Sequence, residues 1–239
     1  MGFLDLPASL LAAIDNWMAP YLPAALRLIL WAAIGAVVSM ELYRLLSPQV
    51  RIAETKKALA ETQRYVAGFD GEFHEAWPHL RRMMSLAFHR IGLVVPATLA
   101  ASLPILAVIV WLGSQYGVAY PPPGQNVPVV VDGDFKGRWV HRAEETPHAV
   151  VMDRNGGAVA DVPVSKPVPV IHKRQWWNMI IGNPAGYLDD DLPFNRIDIS
   201  LPHQQVLAFG PAWLRRWEVI YFAAMIIIAF AFKSVRRIA

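Results

Sequence analysis

The 23 residues from Ile91 to Gly113 carry no charge, and this constrains the chain more than any other feature. A helix needs roughly 20 mostly apolar residues to cover the hydrocarbon core of a bilayer, so IGLVVPATLAASLPILAVIVWLG has the length of a membrane span. Two further blocks share the pattern. Residues 22–43 cross if Arg27 lies near one interface and Glu41 near the other, with both side chains reaching outward to the headgroups. Residues 216–233 are aromatic at the start and basic at the end, as in a helix anchored at both interfaces. The 55% hydrophobic composition therefore reads as a mainly α membrane protein, because the charges crowd between the apolar blocks instead of alternating with them.

Charge asymmetry predicts the orientation. Between the first two spans, residues 44–90 carry Arg44, Arg51, Lys56, Lys57, Arg64, Arg81, Arg82 and Arg90, whereas only Arg27 precedes the middle of the first span. Basic loops stay in the cytoplasm, so this segment is expected inside, with the N-terminus outside and the tail 234–239, containing Arg236 and Arg237, inside again. By parity residues 114–215 are extracytoplasmic. The expected location is a bacterial inner membrane. Residues 1–21 lack the basic n-region of a cleavable signal peptide, and Asp5 and Asp15 interrupt their apolar residues, which predicts an amphipathic helix lying at the interface. The net charge of +3 suits an anionic leaflet and does not point to specific nucleic-acid recognition.

The basic segment 44–90 reads as a helical hairpin. Ser47-Pro48 starts one arm, Ile52, Leu59 and Val66 recur every seven residues as in a coiled-coil seam, and Gly68 and Gly71 bracket a break. The second arm runs directly into the span at Ile91, and Pro78 is tolerable there near a helix start or as a kink. Met83 and Met84 beside Arg81 and Arg82 make an adaptable apolar surface next to positive charge, suited either to varied clients or to ordinary packing.

Residues 114–175 change character. Short β-rich runs at Val129–Val131, Gly137–Val140, Ala149–Met152, Ala158–Val162 and Val168–Ile171 are separated by turn signals such as Asp132-Gly133 and Asn155-Gly156-Gly157. They predict a small β-domain, a sandwich or partial barrel. Residues 176–215 are rich in tryptophan, glycine and proline, and Trp176, Trp177 and Trp213, with Trp217 just beyond, are expected to anchor at the outer membrane interface.

Chemistry-bearing patterns are sparse. The absence of cysteine removes disulfides, thiolate metal sites and thiol nucleophiles. Asp189-Asp190-Asp191 lacks the alternating spacing of a calcium loop, and His141, His148, His172 and His203 form no metal-ligand motif. No nucleophile elbow and no nucleotide-binding glycine loop occur. The expectation is a protein without enzymatic activity, metal or cofactor, whose partners are the lipid bilayer and either membrane-protein clients or partner subunits.

The order of an outside N-terminus, a span, a charged cytoplasmic hairpin and a second span entered through LRRMMSLAFHRIGLVVPATLAASLPILAVIVWL resembles the Oxa1 superfamily of membrane-protein insertases, in particular its small three-span, DUF106-type branch. Arg81 to Met84, Pro96 and Pro104 carry the likeness, over roughly residues 22–113 and 213–239. The resemblance implies a lipid-facing hydrophilic groove that receives a polar client segment, with Arg27, Glu41, Arg81, Arg82, Met83 and Met84 as its candidate residues. The alternative for Arg27 is a place among the outer headgroups. The stretch of about 100 residues between the second and third spans is an addition to the small-branch plan. A second reading makes the chain a structural or assembly subunit of a larger inner-membrane complex, with the outer domain as its interface.

Overall fold

The computed structural model describes residues 2–236; Met1 and residues 237–239, including Arg237 of the expected basic tail, lie outside the described residues. Among the described residues five α-helices and six short strands follow one another: α1 (Ala8–Met18), α2 (Ala24–Leu46), α3 (Gln49–Ala67), α4 (Phe73–Tyr116), β1 (Val129–Val131), β2 (Lys136–Val140), β3 (His148–Met152), β4 (Ala158–Pro163), β5 (Val170–His172), β6 (Arg196–Ile199) and α5 (Trp217–Arg236). Helices α2, α4 and α5 are long and apolar enough to cross a membrane, which is compatible with a multi-pass membrane protein.

The chain divides into two compact units, Met1–Ile29 with Leu106–Phe222 and Leu30–Ile105 with Ala223–Ala239. In the second unit, Ala32, Gly35, Ala36 and Ser39 form a buried stripe of small residues on α2, and Ala97 and Ala101 are buried on α4. Small residues let helix backbones approach closely where lipid removes the hydrophobic drive for association. The break between α2 and α3 falls at Ser47-Pro48. The residue before a proline is pushed out of helical geometry, and the Ser47 hydroxyl donates back to the Tyr43 carbonyl at 2.6 Å. Helix α3 buries Ile52, Thr55 and Leu59 and ends at Gly68. The Tyr65 ring near its end lies 4.4 Å from the His79 ring of α4.

Helix α4 joins the second expected arm and the second span without interruption over 44 residues, although Pro78, Pro96 and Pro104 lie inside it. Each proline removes the N–H that would bond the carbonyl four residues earlier, so Gly92 and Ala100 lose their usual donor within the apolar stretch. The Thr98 and Ser102 hydroxyls beside them donate to the Val94 and Leu99 carbonyls at 2.9 and 2.8 Å.

In the first unit the strands form two antiparallel three-stranded sheets, in the orders β1-β6-β5 and β2-β3-β4. Their shared core holds Val131, Trp139, Val151, Ile171, Phe194 and Ile197. Gly137 in β2 marks a close approach. A Cβ there would lie 2.7 Å from the Val129 carbonyl oxygen, so only glycine fits against β1. Each of the five strand regions expected from sequence holds a strand here, although β5 begins at Val170 where Val168 was expected. The sixth, β6, lies inside the segment expected to follow the membrane face, yet it is the middle strand of its sheet. Asp132, in the turn after β1, ties that sheet together: its carboxylate accepts from the Asn195 N–H at 2.8 Å and the Arg196 N–H at 3.0 Å. Partial burial opposes its ionisation, but these backbone donors outweigh it and lower the Asp132 pKa below the usual 3.8.

Candidate functional site

Arg27 stands on the first turn of α2, where Pro23 ends the preceding turn and accepts its backbone N–H at 3.2 Å. Its guanidinium is held. Nη1 donates to the Asp15 carboxylate at 2.6 Å and to the Asp15 backbone carbonyl at 3.1 Å. The Tyr116 hydroxyl donates to the same carboxylate at 2.7 Å, and the guanidinium carbon lies 5.7 Å from the Tyr116 ring centroid. The Asp15 side chain is 1% exposed and that of Arg27 13%. This triad fastens α1, the start of α2 and the end of α4 to one another within the first unit. It also neutralises Arg27 in place, so an approaching anion meets an ion pair instead of a lone cation.

Glu41, in the second unit, accepts from the Nε of Arg44 at 2.8 Å and lies 3.2 Å from the Nε of Arg236. That pair joins the ends of α2 and α5. Arg81 and Arg82 are exposed on α4 with no ion pair among the described residues, Met83 is half-buried and Met84 is exposed. The six groove candidates thus divide between the units: Arg27 belongs to the first, the other five to the second. Further along α4, Phe88, Ile91, Val95, Leu99 and Leu103 are exposed in continuation of Met84. These recur every three or four residues, a single helical face.

Trp176 and Trp213 are 79% and 63% exposed, and Trp177 is 40% exposed with its ring centroid 4.9 Å from that of His172. Trp217 is buried at 6%, its ring 6.2 Å from Tyr221. The segment after Trp176 is fastened to the N-terminus: the Leu4 N–H donates to the Ile180 carbonyl at 2.9 Å, and the Gly182 N–H donates to the Asp5 carboxylate at 2.7 Å. A cleft of about 860 Å³ lies between α1, the end of α4 and the segments around Val168 and Ile181.

The histidines go separate ways. His141 bonds the Pro121 carbonyl, His148 the Asp161 carboxylate and His172 the Lys173 carbonyl. Among the described residues no three metal-ligating side chains gather. Sequence reasoning missed Asp15 as a partner and registered it only as an interruption. The available signal was an acid in an apolar amphipathic segment followed by a solitary arginine at the start of a span.

Fold and site together define a class: a chain with, among the described residues, three helices fit to cross a bilayer, two small antiparallel sheets and a buried ion pair at the N-terminal helix. No family model, curated protein or solved structure matches it.

Proposed function

We propose that this chain is a non-enzymatic membrane-protein insertase or chaperone of the Oxa1 type, seated in a bacterial inner membrane with its N-terminus and β-domain outside and α3 and the first part of α4 in the cytoplasm. The observation that carries this reading is the exposed face of α4. Met84, Phe88, Ile91, Val95, Leu99 and Leu103 form one apolar track, Arg81 and Arg82 stand at its basic end, and Pro96 and Pro104 take the usual helical N–H donor from two backbone carbonyls along the way. An apolar client segment slides along the track. Its polar atoms meet the carbonyls of Gly92 and Ala100 and the hydroxyls of Thr98 and Ser102, which lowers the cost of carrying them into lipid. Met83 and Met84 adapt to differing client shapes. Arg27, engaged by Asp15, serves this machinery by fixing the N-terminal helix.

The test is site-specific photo-crosslinking. A photoreactive residue at Leu99 should capture a short single-span protein during its synthesis in the presence of inner-membrane vesicles, while one at Val130 in the β-domain should not. Equal capture at both positions, or none at Leu99 in a correctly inserted protein, counts against client handling by α4. The second reading, a fixed subunit of a larger complex, is favoured by the exposure of Phe209 and Trp213 at 70% and 63%. It requires one constant partner set in mild detergent that is lost in a Phe209→Ser, Trp213→Ser variant.

A further inference from the structure

The first unit has an apolar stripe that the fold leaves uncovered. Phe3, Leu6, Leu10, Ile14, Trp17 and Tyr21 are exposed at intervals of three or four residues along the N-terminal segment. Trp176, Met179 and Ile180 extend the same kind of surface on the segment that the Leu4 and Asp5 hydrogen bonds fasten to it. Such a surface on a chain with three bilayer-length helices belongs at the level of the lipid headgroups and upper acyl chains. The opposite side of α1 forms a wall of the 860 Å³ cleft, through Ala8 and Ala12.

Its chemistry is divided. Trp111 and Val168, 3% and 5% exposed, line the depth beside the half-buried Val110, while Ile181 is exposed. At the rim stand three charged residues. Asp5 is engaged by the Gly2 and Gly182 N–H groups at 2.8 and 2.7 Å, and Arg196 is held by Asp198 at 2.6 to 3.0 Å. Lys166 is exposed and has no ion pair among the described residues. The rim therefore offers one uncommitted positive charge above an apolar depth whose volume lies within the range of roughly 300–1,000 Å³ usual for ligand cavities.

We infer that this cleft binds one anionic phospholipid from the adjoining leaflet, with an acyl chain against Trp111 and Val168 and its headgroup phosphate at Lys166. An acyl chain matches the depth, and an anionic headgroup matches the unpaired cation at the rim. Small α1 side chains at Ala8 and Ala12 leave room for the chain between α1 and the end of α4. The site is independent of the exposed α4 track, so client handling and lipid binding stand or fall separately.

The test uses the full-length protein reconstituted in nanodiscs of phosphatidylglycerol mixed with phosphatidylcholine, released into the gas phase and analysed by native mass spectrometry. One tightly retained phosphatidylglycerol is expected. Lys166→Gln should reduce its retention over phosphatidylcholine about fivefold, the loss of one lysine–headgroup attraction. Ala12→Trp, which fills the cleft from α1, should abolish retention of both lipids. Unchanged preference in Lys166→Gln would overturn the headgroup assignment, and this exposed substitution does not threaten the fold. Full retention in Ala12→Trp would overturn the site itself, as would competition by free glycerol phosphate as effective as that by the intact lipid.

Discussion

Replacing Asp15 by asparagine removes one charge from a pair that is almost entirely out of water, and the consequence can be worked from the geometry. The Asp15 carboxylate is 1% exposed and receives both the Arg27 guanidinium and the Tyr116 hydroxyl. Breaking a buried pair from one side costs about 3–5 kcal/mol, because the surviving charge stays buried without compensation. Asparagine still offers the Tyr116 hydroxyl an oxygen, and Arg27 retains 13% exposure, so the lower end, about 3 kcal/mol, is expected. For a cooperative body of this size that loss lowers the unfolding midpoint by roughly 6–12 °C. Tryptophan fluorescence in detergent follows it, since buried Trp111 sits edge-on to Tyr116 at 6.5 Å. The decisive comparison is a double-mutant cycle of Asp15→Asn, Arg27→Gln and both together. The double variant should be more stable than Asp15→Asn alone, because no unpaired charge remains. A midpoint for Asp15→Asn within error of the wild type, or strictly additive losses, would refute the buried-pair reasoning.

Other outcomes follow from the same geometry. Pro96→Ala restores a helix hydrogen bond and should raise thermal stability by about 1–3 kcal/mol while slowing client insertion, a divergence seen by measuring both on one preparation. Gly137→Ala forces a methyl against Val129 and should destabilise the β-domain by about 1–3 kcal/mol, read from its unfolding transition. Asp132 has its pKa lowered in the folded state, so its stabilisation is present above pH 3.8 and fades as pH falls through the lower folded value. The stability difference between wild type and Asp132→Asn should accordingly shrink on acidification below pH 3.8, and a constant difference would contradict the assignment.

The bilayer-length helices were legible because a hydrocarbon solvent dictates composition directly. Ile91 to Gly113 admits little else, and the charges at Arg27 and Glu41 bracket the uncharged stretch inside α2. Five strands were legible from β-branched runs between turn signals such as Asn155-Gly156, where Gly156 adopts φ +86°. Strand β6 was not. Its four residues, Arg196 to Ile199, place Arg196 and Asp198 on the exposed side, where they pair with each other, and the surrounding prolines and tryptophans drew attention to the membrane instead. The Asp15–Arg27–Tyr116 triad was hidden for another reason: its members are 12 and 101 residues apart from Asp15, and only folding decides which acid a solitary arginine meets. The cleft is assembled from five separate segments and leaves no local pattern at all.

Client handling by α4 is tested most directly by reconstitution. Purified protein in liposomes of defined lipid should accelerate insertion of a single-span client with a short polar translocated end severalfold over empty liposomes, and Leu99→Glu within the apolar track should remove the gain while the protein stays folded. Insertion no faster than in empty liposomes, with the protein folded and oriented in the membrane, would contradict it.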